Sequence, residues 1–167
     1  SSGTKLGMIA PAAAAPTAPF IISATPGINS ITLQFQASAT SATSDTNTYS
    51  ASDGFSPYTC SLTKLSVTSG ISTGSLVCTG LTFSSAQYSF VMTSTDVTGG
   101  VSPQSNRVSA TPITAPGPVG AVFTPADSSI SIAIGAVTSD GGSPITGYSI
   151  ITIPAAGSCA NLTTTAT

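Results

Sequence analysis

The chain of 167 residues carries only eight charged side chains: Lys5, Lys64 and Arg107 against Asp45, Asp53, Asp96, Asp127 and Asp140, with no Glu and no His. Its residues are 40% hydrophobic and its net charge is -2. A disordered chain couples low hydrophobicity with high charge, so this one is expected to fold, with room for one sizeable core and a second, smaller one. Three scattered cations cannot neutralise a row of phosphates, which argues against nucleic acid as a partner.

The longest apolar stretch, 8–15, is broken by Pro11 and falls far short of the roughly 20 residues that a membrane-spanning helix needs. Residues 1–7 hold one Lys, and no apolar stretch of leader type follows them, so an export signal is expected upstream or already removed. About a third of the residues are Ser or Thr. Such a surface stays soluble through hydroxyls rather than charges, and three readings are open: O-glycans, faces buried against other subunits, or a plain Thr-rich β surface.

In chain order, the first element is a strand-like segment at Leu6, Met8 and Ile9, closed by Pro11. Pro16-Thr17-Ala18-Pro19 then precedes a strand in which Ile31, Leu33 and Phe35 alternate with Thr32, Gln34 and Gln36. A period of two places the apolar residues on one face and the polar ones on the other. A long connection, 38–52, leads to Ser52-Asp53-Gly54-Phe55-Ser56-Pro57-Tyr58-Thr59. Next, Tyr88, Phe90 and Met92 alternate with Ser89, Val91 and Thr93. A second Pro-rich stretch, Pro116-Gly117-Pro118, precedes Ile130, Ile132 and Ile134, alternating with Ser131 and Ala133. Ser139-Asp140-Gly141-Gly142-Ser143-Pro144-Ile145-Thr146 follows. No window has helical spacing, and short strands punctuated by Pro and Gly predict an all-β sandwich or barrel. The two matching octets, each after a Pro-rich stretch and an alternating strand, predict an internal repeat.

The second half of the first copy carries a family pattern. Leu81 is followed by Tyr88, Phe90, Met92, Ser94 and Asp96 at alternate positions, then Gly99-Gly100, Ser102-Pro103 and Ser105, and finally Val108-Ser109-Ala110-Thr111-Pro112. With these residues the chain resembles the fibronectin type III family. The resemblance implies immunoglobulin-like β-sandwich modules in tandem. Residues 16–113 would form one complete module, 114–118 a Pro-rich linker and 119–167 the first half of a second, incomplete module. Residues 1–15 would be the end of a preceding module, or a donor-like strand plus linker. Tyr88 would be the tyrosine-corner residue, its hydroxyl bonded back to the chain. Gly147-Tyr148-Ser149-Ile150 would be the third strand of the second copy, and Tyr58, Cys60 and Leu62 that of the first. The family's usual Trp on the second strand is absent: Phe35 stands there in the first copy and Ile134 in the second.

On the same resemblance, Cys60 and Cys78 fall on the third and fifth strands, and a disulfide between them is expected. It would suit an exported domain and add roughly 3 kcal/mol in the chain-entropy model. Cys159 then has no partner within the chain. Three separated Cys without a His do not make a zinc site, so neither a metal nor a cofactor is expected. A Ser or Cys nucleophile needs an adjacent base, and no motif supplies one. Most of the Asp residues read as turn formers, as in Asp53-Gly54 and Asp140-Gly141, so no catalytic residue is assigned.

Asn161-Leu162-Thr163 is the single Asn-x-Ser/Thr sequon and makes Asn161 the candidate glycosylation site. The 38–52 connection, with Asp45, Asn47 and Tyr49, reads as a candidate recognition loop, or else as a flexible insertion tolerant of shortening. The functional expectation is a non-catalytic structural or adhesive array at the cell surface: a stalk, adhesin or extracellular filament. Its partners would be neighbouring modules or copies of itself, head to tail, together with glycans or cell-surface and matrix proteins. The second reading is a spacer module of a secreted carbohydrate-active enzyme. Ile130, Ile132, Ile134, Tyr148 and Ile150 are expected to form an apolar face completed either by further polypeptide or by a neighbouring subunit.

Overall fold

The computed structural model describes residues 14–52, 58–82 and 87–151. The Leu6–Ile9 segment, Asp53, Cys159 and Asn161 lie outside these residues. Every regular element among them is a strand.

The alternation at Ile31 produces strand β2, Ser30–Ser38, with Ile31, Leu33, Phe35 and Ala37 buried and the residues between them turned outward. Strand β1, Phe20–Gly27, pairs antiparallel with it, with an irregularity between Ile21 and Ser23. On the other side of β2 runs β5, Ile71–Thr79, in continuous register from Ser30 opposite Thr79 to Ser38 opposite Ile71. Strand β4, Thr59–Thr68, is joined to β5 through Ser69 and Gly70. Both residues have positive φ, the conformation of the primed turns whose twist suits a two-residue hairpin. These four strands form one sheet in the order β1-β2-β5-β4.

The second sheet holds β3 (Thr48–Ser52), β6 (Tyr88–Thr95) and β7 (Val108–Ala110), in the order β3-β6-β7. Phe90 and Met92 of β6, Tyr49 of β3 and Ala110 of β7 meet Ile31, Leu33, Phe35 and Leu76 of the first sheet in a single core. Four strands facing three, with the first, second, fifth and fourth opposed to the third, sixth and seventh, is the arrangement of a constant-type immunoglobulin sandwich.

Two strand assignments are corrected. Cys60 sits on the fourth strand, at the edge of the first sheet, and not on the third. The third strand arises instead within the 38–52 connection, where Tyr49 alternates with Thr48 and Ser50 and enters the core. The disulfide between Cys60 and Cys78 is present, joining directly opposed residues of β4 and β5. Secondly, the first octet connects β3 to β4, whereas the second octet follows the second strand of its own hairpin. The two octets therefore do not occupy equivalent places in the strand order.

Beyond the sandwich, β8 (Ala121–Ala126) and β9 (Ser129–Ile134) form a two-stranded antiparallel sheet, with Phe123 opposite Ile132. Val122, Phe123 and Ile130 are 64–66% exposed, while Ile132 and Ile134 are half-buried. Residues 147–150, expected as a strand, are irregular and form no β-bridge with any of the described residues.

Tyr88 begins β6, and its hydroxyl accepts the backbone N–H of Thr82 at 3.2 Å, six residues upstream. Its ring lies 6.4 Å from that of Phe90 and 6.3 Å from that of Tyr58. Ring and hydroxyl thus make separable contributions. Tyr88→Ala should cost about 3–5 kcal/mol, the range for a large aromatic truncated at a core. Tyr88→Phe, which keeps the ring, should cost about 1 kcal/mol. Urea unfolding of the two variants checks both values, and equal midpoints would contradict this division.

Candidate functional site

A polar cluster gathers where the 39–47 segment, which joins β2 to β3, bonds to Gly70 and to Ser72 of β5. The Asp45 carboxylate accepts hydrogen bonds from the Tyr49 hydroxyl, the fully buried Ser72 hydroxyl and, at 3.0 Å, the Asn47 backbone N–H. Partial burial by itself would raise the Asp45 pKa, but the bonds from Ser72, Tyr49 and Asn47 outweigh it and hold the carboxyl below its usual range. For Tyr49, burial and then the Asp45 carboxylate push the phenol up to about 12. Asn47 is also buried, and its Oδ1 has no donor among the described residues.

The hydroxyls of the same segment fold it onto itself. Thr40 Oγ1 accepts the Thr46 N–H at 2.9 Å, Ser41 Oγ accepts the Ser44 N–H at 3.0 Å, and the Gly70 N–H donates to the Ala42 carbonyl at 3.1 Å. The three residues named as a candidate recognition loop are placed as follows. Asn47 and Tyr49 are buried and Asp45 is half-buried: Tyr49 packs at a tilt against Phe35, with ring centroids 4.6 Å apart, and its hydroxyl donates to Asp45. A deletion that reaches residues 45–48 would remove the Asp45 contacts and the start of β3.

A second polar device closes the gap between the sheets. Asn106, just before β7, accepts the Ile21 N–H at 2.7 Å through Oδ1 and donates from Nδ2 to the Ile21 carbonyl at 3.0 Å. Its amide thereby imitates one strand residue beside the irregularity in β1. Ser102 and Ser105 act similarly on β6: their hydroxyls accept the N–H groups of Ser94 at 2.9 Å and Met92 at 2.8 Å, while their own amides donate to the carbonyls of the same residues. Four bonds continue the ladder where β7, with three residues, is too short. At the turn that follows β6, the Asp96 carboxylate accepts from the Thr98 hydroxyl and from the Gly100 and Thr98 amides, which lower its pKa.

Chain spacing points to neither Asn106 nor Ser72. Asn106 acts on Ile21 of β1 and Ser72 on Asp45 of the 39–47 segment, both far away in sequence, and only the folded sheets bring them together. Among the described residues, no three His, Cys, Asp or Glu side chains gather where they could hold a metal ion. Lys64 lies on the exposed edge strand and Tyr88 serves the turn described above.

The Asp45 cluster implies a two-sided pH dependence. A depressed Asp45 pKa gives stability that is complete above the unfolded value, roughly pH 4, and is lost as pH falls through the folded value. A raised Tyr49 pKa gives stability that is complete below its ordinary value of 10.0 and lost as pH rises towards about 12. Melting temperatures across pH should show Asp45→Asn flattening the acid limb and Tyr49→Phe the alkaline limb. Unchanged limbs in both variants would refute the cluster. Asn106→Asp, which turns a donor into a carboxylate facing the Ile21 carbonyl, should cost about 1–3 kcal/mol at neutral pH, measurable by denaturant unfolding.

No family model, curated protein or solved structure gives a significant match to this chain.

Proposed function

We propose that this chain is a non-catalytic structural or adhesive element of an extracellular stalk, adhesin or filament, in which β-sandwich units of fibronectin type III kind run head to tail. The observation that carries this reading is where the polar groups are spent. The Asp45 and Asp96 carboxylates, the Asn106 amide and the Ser72, Ser102 and Ser105 hydroxyls all bond to the protein's own backbone and side chains. Chemistry directed inward stiffens a fold; a reactive site needs the same groups aimed at a substrate. The disulfide between β4 and β5 supports residence in an oxidising compartment.

The partners in this reading are neighbouring modules or further copies of the chain. The β8–β9 hairpin supports it, since Phe123 and Ile130, on one face of it, stand largely exposed. Covering such side chains is worth roughly 1.5–3 kcal/mol each, a strong inducement for another apolar strand to pack on them. Light scattering of the 167-residue protein across concentration tests this. Oligomers that dissolve on Phe123→Ser or Ile130→Ser, with the sandwich still folded, are the expected result. A strict monomer whose β8–β9 amides are nevertheless fully protected from exchange would defeat the reading.

A further inference from the structure

The segment that leaves the sandwich is bonded on both sides. Towards the sandwich, the Ile113 N–H donates to the Gly27 carbonyl at 3.1 Å and the Asn29 N–H donates to the Ile113 carbonyl at 2.8 Å. Ile113 thereby forms a parallel bridge with Ile28, beside the β1–β2 turn. In the other direction, the Thr114 N–H donates to the Gly141 carbonyl and the Gly117 N–H to the Ser139 carbonyl, both at 2.8 Å.

The turn that accepts these bonds is itself held in shape. The Ser139 hydroxyl accepts the Gly141 N–H at 3.1 Å, and the Asp140 carboxylate accepts the Gly142 N–H at 2.8 Å. Gly141 has φ +73, and a Cβ placed on it would lie 2.2 Å from the Thr114 carbonyl oxygen and 3.0 Å from that of Ala115. Only a residue without a side chain can approach the linker so closely. Within the linker, Pro116 and Pro118 restrict the backbone on either side of Gly117.

We propose that residues 113–117 and the 139–142 turn form a clasp that fixes the β8–β9 hairpin relative to the sandwich, so that the junction is a stiff joint and not a hinge. This inference rests on the structural reading above and deepens it: a stalk or filament of such units keeps its direction only if its joints resist bending. A linker without such bonds would behave as a semi-flexible spacer. Here four backbone bonds, two on each side, tie the 113–117 segment to both neighbours through Ile113, Thr114 and Gly117. Gly141 is the residue on which the outer pair depends.

The test uses NMR on the full 167-residue chain at concentrations where it is monomeric, so the outcome is independent of whether the protein assembles or adheres. In the wild type, the Thr114 and Gly117 amides should exchange at least about 10-fold more slowly than unstructured amides. Residual dipolar couplings from β1–β7 and from β8–β9 should fit one alignment tensor. Gly141→Ala should abolish the protection at both amides and split the tensor in two, while the Leu33 and Phe90 amides report an intact sandwich. Gly99→Ala is the control. It carries the same positive-φ cost at φ +90, with nothing within 4 Å of the added Cβ, and should leave the clasp unchanged. Unprotected Thr114 and Gly117 amides in the wild type, or two tensors there, would overturn the proposal whatever the variants do. So would a Gly141→Ala protein that keeps both the protection and the single tensor.

Discussion

The sandwich depends on how Phe35 is seated. Its ring is wholly buried between Gly74 of the adjacent β5 and Tyr49 of the facing sheet. A Cβ on Gly74 would lie 2.7 Å from the ring and 2.7 Å from the Lys64 carbonyl, so this one place in β5 has to be glycine. The absence of a side chain lets an aromatic ring lie against the strand backbone, and Phe35 then reaches across to Tyr49. That contact fixes the distance between the two sheets near the 39–47 segment. Dense packing makes the arrangement unforgiving, because a displaced ring leaves a void that nothing else fills.

Tyr49 joins this packing to the polar chemistry of the protein. Its ring belongs to the core, and its hydroxyl donates to Asp45, which also accepts from Ser72 of β5. A carboxylate that accepts several bonds is satisfied where an unpartnered one would be costly. Asn106, Ser102 and Ser105 extend the same economy to the opposite edge, supplying from side chains the pairing that a three-residue β7 cannot. With so few charged residues, the chain relies on hydroxyls and amides for this work. Their bonds lose little to salt screening, which weakens exposed ion pairs.

The two ends of the described chain differ in how complete they are. The sandwich hides its apolar faces, and the Cys60–Cys78 bridge ties its β4 edge to β5. The β8–β9 hairpin has strands of the same alternating kind but only one neighbour for each. Isolated two-stranded hairpins are marginal in water. The bonds from Thr114 and Gly117 to the 139–141 turn give this one a second anchor on the chain.

By itself the sequence determined the fold class and several strands, because a period of two at Ile31–Phe35, Tyr88–Met92 and Ile130–Ile134 is local and survives any context. The place of Tyr88 at a strand start and the Cys60–Cys78 pair were also legible. The strand that Cys60 occupies was not, and neither was the third strand hidden in a stretch of Ser, Thr and Asn that reads as a loop. A five-residue strand with one large apolar residue gives almost no periodic signal; Thr48–Ser52 becomes a strand because β6 offers it an open edge and Phe35 a partner for Tyr49. The tertiary structure alone decided that Asp45 meets Ser72, that Asn106 stands in for a strand residue beside Ile21, and that Gly141 meets the linker. Each of these depends on groups that lie far apart in the chain and touch only once the sheets have formed.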